Sequence, residues 1–369
     1  MSEQARRQKL LLTAIAKPEC LADLTSAELD LLLRHARRAR VLGYIAEALQ
    51  RSETAVELPT QVADILEGAR VSAEARSRVI LWELDRVAQT LGAELASQVV
   101  VLKGAAYALL EAPNARGRIV ADIDLLAEKA LLPEVEARLA EGGWSAKELS
   151  DYDQRYYREW THEIPPLVHR ERDVEVDVHF NILPQSARLK PRARDLFDQA
   201  LPSERSAFRV LAPADLVLHA MAHLMFDADL ADDLRDLLDI ALLLEHFAAR
   251  DANFWQQLVQ RAETLDLGRP AYYGVHFASR LFAVSVPGDA REALRRWQPG
   301  ALASRCMDTL VPFGLLPPDP DSHDRRAELA RTLLFIRSHW IRMPPWMLAY
   351  HSLYKMGLSV RGRLTAAEQ

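Results

Sequence analysis

The sequence predicts an α+β fold, with a small β-rich core set between two helical regions. Three observations lead there. Residues 1–95 and the chain from about Pro191 onward place apolar residues at helical spacing. Residues 98–185 instead hold short β-branched or alternating runs. Those runs are closed by turn signals, Gly104 after QVVVLK and Glu171–Arg172–Asp173 between THEIPPLVHR and DVEVDVHF. The expected divisions are an N-terminal helical region (1–95), a core (96–188) and a C-terminal helical domain (189–369).

Taken in order, the first residues form an amphipathic helix. A signal peptide is the alternative, because QARRQK precedes LLLTAIA, but that apolar segment is short and Lys17–Pro18 follow at once. Thr25 and Glu28 have capping-box spacing, and Leu29, Leu32, Leu33 and Ala36 continue at i, i+3, i+4, i+7. A second long helix starts at about Ser72, with Ile80, Leu84, Val87 and Leu91 on one face. QVVVLKG is a strand entering a glycine turn, AAYALLEA a short helix, and RIVADIDLLAE (118–128) the second strand. LLPEVEARLAEGGW is a helix stopped by Gly142–Gly143. THEIPPLVHR and DVEVDVHF make two further strands. Beyond them, LAPADLVLHAMAHLMF begins a helix near Pro213, and DLADDLRDLLDIALLLEHF a second one with an acidic start. A proline-rich loop covers 311–324.

Composition narrows the function. The 369 residues are 49% hydrophobic and 27% charged, as in globular proteins, with a net charge of −6. That balance gives no general attraction to long nucleic acid or anionic membrane. Cys20 and Cys306 lie far apart, which argues against a disulfide framework or a cysteine zinc site and suits the cytoplasm. No apolar run approaches the roughly 18 residues of a membrane span.

The chemistry lies in the core. Alternation sends Asp122 and Asp124 to one face of their strand, with Arg118 upstream on the same face. Two carboxylates side by side on a half-buried surface require a compensating cation. In DVEVDVHF, Glu175, Asp177 and His179 share a face. If the two strands are neighbours, Asp177 completes a three-carboxylate cluster, although Glu175 is the alternative ligand. Such a cluster suits hard divalent cations, Mg²⁺ first, which take oxygen ligands. Lys103–Gly104 stands before a short helix, where a glycine lets backbone amides approach a phosphate.

The stretch LKGAAYALLEAPNARGRIVADIDLLAE, with VDVHF downstream, resembles the uncharacterised nucleotidyltransferase family of the DNA polymerase β-like superfamily. The resemblance implies a small polymerase β-type core of mixed or antiparallel sheet. It matches Asp122 and Asp124 to the metal-binding pair and Asp177 to the third carboxylate. Gly104 matches the phosphate-side turn and Arg118 the arginine four residues before D-x-D. The helical stretch after the core is similar too. Ala105 departs from the superfamily's usual Gly-Ser or Gly-Gly, so Lys103 and backbone amides are left to hold the phosphates. The implied reaction is transfer of a nucleoside monophosphate from an NTP, ATP foremost, to a hydroxyl of an unidentified acceptor. Two Mg²⁺ ions serve it, with Mn²⁺ as a substitute.

His219 and His223 have the i, i+4 spacing of a zinc pair, but Ala220 replaces the glutamate of HExxH. Cleft lining, His223 first, or plain packing is the better reading for them. His179 is a candidate for the cleft or for packing. Arg235–Asp239 reads as an i, i+4 pair. Between Arg331 and Arg363 the chain carries six basic residues and no acidic one, interleaved with Trp340, Trp346, Tyr350 and Tyr354. Helix packing is the default there, and a partner or membrane-surface contact the alternative. Two rivals to the enzyme are a catalytically inactive nucleotide-binding module and a helical interaction scaffold.

Overall fold

The computed structural model describes residues 3–52, 55–146, 157, 160–226, 230, 233–317 and 324–348. A mixed sheet of seven strands runs through its middle in the order β3-β4-β5-β2-β1-β7-β6. These are β1 Val100–Val101, β2 Asp122–Leu126, β3 Trp144–Ala146, β4 Leu167–His169, β5 Glu175–His179, β6 Leu201–Pro202 and β7 Arg209–Val210. β1 is antiparallel to β2 and β2 parallel to β5, so the D-x-D strand lies between the glycine-turn strand and the VDVH strand. The expected α+β class holds.

Several elements differ from the sequence expectation. The second strand begins at Asp122, not Arg118, so alternation does not reach Arg118. The second long helix spans Thr60–Leu91 and starts twelve residues before Ser72, because Thr60 follows Pro59 with no further proline behind it, and Gly68 is carried inside the helix. Its predicted face, Ile80, Leu84, Val87 and Leu91, is buried as expected. The sheet also recruits β6 and β7 from beyond the expected core. They are two residues each, too short to show a period, and β7 pairs with β1 in parallel. The loop expected from 311 is helical through Leu315 with Pro312 inside the helix, and residues 318–323 lie outside the described ones.

Packing explains how the site is held. The Thr60–Leu91 helix backs the sheet beside the Lys103–Leu109 and Leu132–Glu141 helices. One apolar core then continues through Ile123, Leu125, Val176 and Val178 into the helices Pro213–Phe226, Leu234–Arg250 and Gly268–Phe282, and on to Leu334. A second cluster gathers the N-terminal helices Glu3–Ala16, Ser26–Arg38 and Leu42–Arg51 around Leu32, Ile45, Leu234 and Leu238. Thr25 and Glu28 form the predicted capping box. Gly43 and Gly117 touch backbone to backbone: a Cβ on Gly43 would lie 2.2 Å from the Gly117 carbonyl oxygen, and Gly117 has a φ of +74°. That contact fixes the loop carrying Arg118 against the N-terminal helices.

In the helix Arg325–Arg342, Arg331 and Arg337 turn inward and donate to the Leu316 and Met225 carbonyls, while Trp340 and Trp346 are exposed. Tyr350, Tyr354, Lys355, Arg361 and Arg363 lie outside the described residues. No helix among the described residues is long and apolar enough to cross a membrane.

Candidate active site

The sheet register brings the two carboxylate strands together. Asp122 lies opposite Glu175 and Asp124 opposite Asp177, as Cα partners of the parallel β2–β5 pair. On the other side Leu102 N donates to the Asp124 carbonyl, which delivers Lys103 next to Asp124. Lys103 takes a positive φ of 46°, a conformation disfavoured for a non-glycine residue and held here by surrounding contacts. Its Nζ lies 2.8 Å from Asp124 Oδ1, and His179 Nε2 lies 3.0 Å from the same oxygen. Asp124 is 2% exposed.

These contacts set the charges. Burial alone would raise Asp124, but Lys103 and the hydrogen bond from His179 pull its carboxyl far below the usual range. Burial works against the Lys103 ammonium, and Asp124 more than offsets it, leaving the lysine firmly charged. Asp122 moves the other way, pushed up by burial and by Asp124. Asp177 is pushed up to about 8, by burial first and then by Asp124, Glu163, Glu175 and Asp122. Its Oδ1 is buried and meets no hydrogen-bond partner among the described residues. An orphaned carboxylate oxygen among four other acids is a local deficit of positive charge, which a divalent cation fits.

A cleft opens beside Asp122 and Asp124, lined by Lys103, Gly104, Arg118, His223 and Arg235 among others. Gly104 belongs there for a packing reason as well: a Cβ would approach Val120 Cγ1 to 2.8 Å. Ala105 is wholly buried behind it, and Asp177 lies outside the lining, across the β2–β5 pair. His219 is buried, and burial holds its imidazole well below the ordinary histidine range, whereas His223 does line the cleft.

Arg118 reaches the cleft, but its guanidinium is taken by acids of the Leu234–Arg250 helix. Nε lies 3.0 Å from Asp239 Oδ2, with Asp236 at 3.9 Å. The expected Arg235–Asp239 pair is therefore corrected. Arg235 pairs with its neighbour Asp236 at 2.6 Å, and buried Asp239 accepts from Tyr44 Oη while holding Arg118. The reason is burial: Asp239 faces inward from its helix toward Arg118. Arg40 is held likewise by Asp233 at 2.7 Å.

Sequence reasoning missed this acidic rim and also His162 and Glu163. The segment carrying those two runs antiparallel to the end of β5, with Phe180 N donating to the His162 carbonyl and Ile164 N to that of Val178. Of THEIPPLVHR, expected as one strand, only Leu167–His169 is strand, and Glu163 makes an isolated bridge to His179 that its sequence does not signal. The group whose ligand atoms all lie within 4.8 Å of one another, among the described residues, is His162, Glu163 and His179 rather than the three aspartates.

The mixed sheet thus sets the D-x-D pair beside a later aspartate strand and beside Lys103–Gly104, which open the Lys103–Leu109 helix rather than form the expected turn before it. The chain belongs to the uncharacterised nucleotidyltransferase family, which matches residues 25–283. The match covers the N-terminal helices from Ser26 onward, the whole sheet and the helices behind it. Among curated proteins, none matches the chain.

Proposed function

We propose that the chain is a Mg²⁺-dependent nucleotidyltransferase that moves a nucleoside monophosphate from an NTP, ATP foremost, to a hydroxyl of a small acceptor and releases pyrophosphate. The observation that carries this reading is the Asp124–Asp177 pair in register, with the Asp177 Oδ1 left without a donor among the described residues. Asp122 and Asp124 would hold both ions and Asp177 one of them. Bound divalent cations would neutralise the triphosphate and lower the pKa of the acceptor hydroxyl.

The chain's own residues do the rest. Lys103 and His179 keep Asp124 ionised, and so ready as a ligand. Lys103 and the Gly104 backbone seat the β- and γ-phosphates, with Ala105 and Arg118 behind them. Asp177 would take the acceptor proton. Residues 96–188 form the catalytic region of this reading, and the helices on either side complete the cleft.

Two features support a small acceptor. The arginines at the cleft are each paired with an acid, which leaves little free positive charge for a long nucleic acid. A cavity lined by Leu42, Ile65, Ala69 and Ile119 adjoins the cleft through Arg40, Ala121 and Arg235, and offers an apolar seat for a base or an acceptor. The inactive nucleotide-binding module is the second reading, and Ala105, which offers no hydroxyl at the turn, favours it.

Pyrophosphate release separates the two. The full chain is incubated with each NTP, Mg²⁺ and a screen of alcohols, sugars and hydroxyl-bearing peptides. The enzyme reading expects release that Asp122→Asn abolishes while the far-UV circular dichroism is unchanged. Equal release by that variant would overturn the assignment.

A further inference from the structure

We propose that His162, Glu163 and His179 form a transition-metal site of the Zn²⁺ class, separate from the aspartate cluster, in which Asp124 orients His179 by a hydrogen bond. The inference stands independently of the nucleotidyl-transfer reading.

The first observation concerns His179. Its Nε2 faces Asp124 Oδ1 at 3.0 Å and its Nδ1 faces Glu163 Oε2 at 3.2 Å. A carboxylate only accepts, and a neutral imidazole has a single N–H. With Nε2–H given to Asp124, the Nδ1 lone pair points at a carboxylate oxygen. That contact needs a cation or a proton between the two atoms. The second observation is His162. One of its ring nitrogens lies in the same group of ligand atoms, all within 4.8 Å of one another, and its ring is 5.2 Å from that of His179. Its Nδ1 is buried without a hydrogen-bond partner among the described residues.

Two imidazole nitrogens and one carboxylate oxygen are a borderline-soft donor set, suited to Zn²⁺ rather than Mg²⁺. Tetrahedral ligands at about 2.1 Å from an ion stand about 3.4 Å apart, close to the Nδ1–Oε2 separation. The Asp124–His179 hydrogen bond is then the outer carboxylate that fixes the tautomer and ring plane of a metal-ligating histidine. The backbone is already arranged for it, since the His162 carbonyl and Ile164 amide bond to the end of β5. An ion there would clamp the 162–164 segment onto β5.

The test uses the full chain, stripped with a chelator and titrated with Co²⁺ as a spectroscopic stand-in and with Zn²⁺ against a chromophoric chelator. The expected result is one Co²⁺ per chain with tetrahedral d–d absorption, displaced by Zn²⁺. His162→Gln and Glu163→Gln should each weaken Zn²⁺ binding by roughly 100-fold and Asp124→Asn by roughly 10-fold, while Asp122→Asn leaves it unchanged. Glu163 is partly exposed, so E163Q preserves shape, and far-UV circular dichroism checks its fold. Absence of tetrahedral absorption in the wild-type chain would overturn the proposal. So would wild-type affinity in both the His162 and Glu163 variants, which would place the ion elsewhere. Pyrophosphate release is read with Asp122→Asn, which leaves this site intact, so the two readings fail separately.

Discussion

At the scale of single residues, the site is defined by an imbalance between neighbouring carboxylates. Asp124 is ionised by Lys103 and His179, while Asp177, its register partner, is pushed up to about 8. An Asp raised above its unfolded value of about 3.9 binds more protons in the folded state between those two pH values. The Asp177 contribution to the stability of the metal-free protein should therefore fall as pH rises from about 4 to about 8, and Mg²⁺ should raise the melting temperature most at the upper end. Asp177→Asn removes that contribution, so relative to wild type it should stabilise the metal-free protein increasingly as pH rises and weaken its response to Mg²⁺. Thermal melts of both chains across this pH range, with and without Mg²⁺, check the sign; a wild-type-minus-variant difference that does not change with pH would contradict it. Asp122, Asp124 and Asp177 were legible because alternation in two short strands fixes which side chains share a face. The partners of Arg118 were not, because nothing in its spacing points to an acid more than a hundred residues on.

Among the elements, the Leu234–Arg250 helix and its N-cap Asp233 close the cleft by holding Arg118 and Arg40 from two other places in the chain. Asp239 is 2% exposed and lies against Arg118 and Tyr44. Breaking a buried pair by removing one partner leaves an unpaired charge, so Asp239→Asn should cost about 3 kcal/mol, against about 1 kcal/mol for Tyr44→Phe. Urea unfolding of both variants measures this, and equal losses would mean that the tyrosine hydrogen bond, not the ion pair, holds the clamp. Elements of strong period were read correctly, as the buried faces of the Ser26–Arg38 and Thr60–Leu91 helices show. Those that escaped, β3, β6 and β7, are two or three residues long, and sheet pairing rather than local sequence makes them strands.

At the scale of the whole molecule, the apolar core that begins at Ile80 runs through the sheet into the C-terminal helices without a break. The stretch 96–188 has no core of its own to close, since β1 needs β7 and the sheet needs the Pro213–Phe226 helix. A fragment of residues 96–188 should therefore show no cooperative unfolding transition by circular dichroism, and a sharp transition would contradict the shared core. The same continuity ties the Asp122 cleft to helices on both sides, so a ligand bound there meets a surface drawn from Arg40, the Lys103–Asp124 stretch and the helices carrying His223 and Asp239. The central claim is that the aspartates take metal together with nucleotide, and calorimetric titration of the full chain with ATP and CTP, with and without Mg²⁺, tests it most directly. The account predicts binding of at least one nucleotide that requires Mg²⁺ and disappears in Asp122→Asn; nucleotide binding of equal strength without Mg²⁺ and in that variant, or none at all, would contradict it.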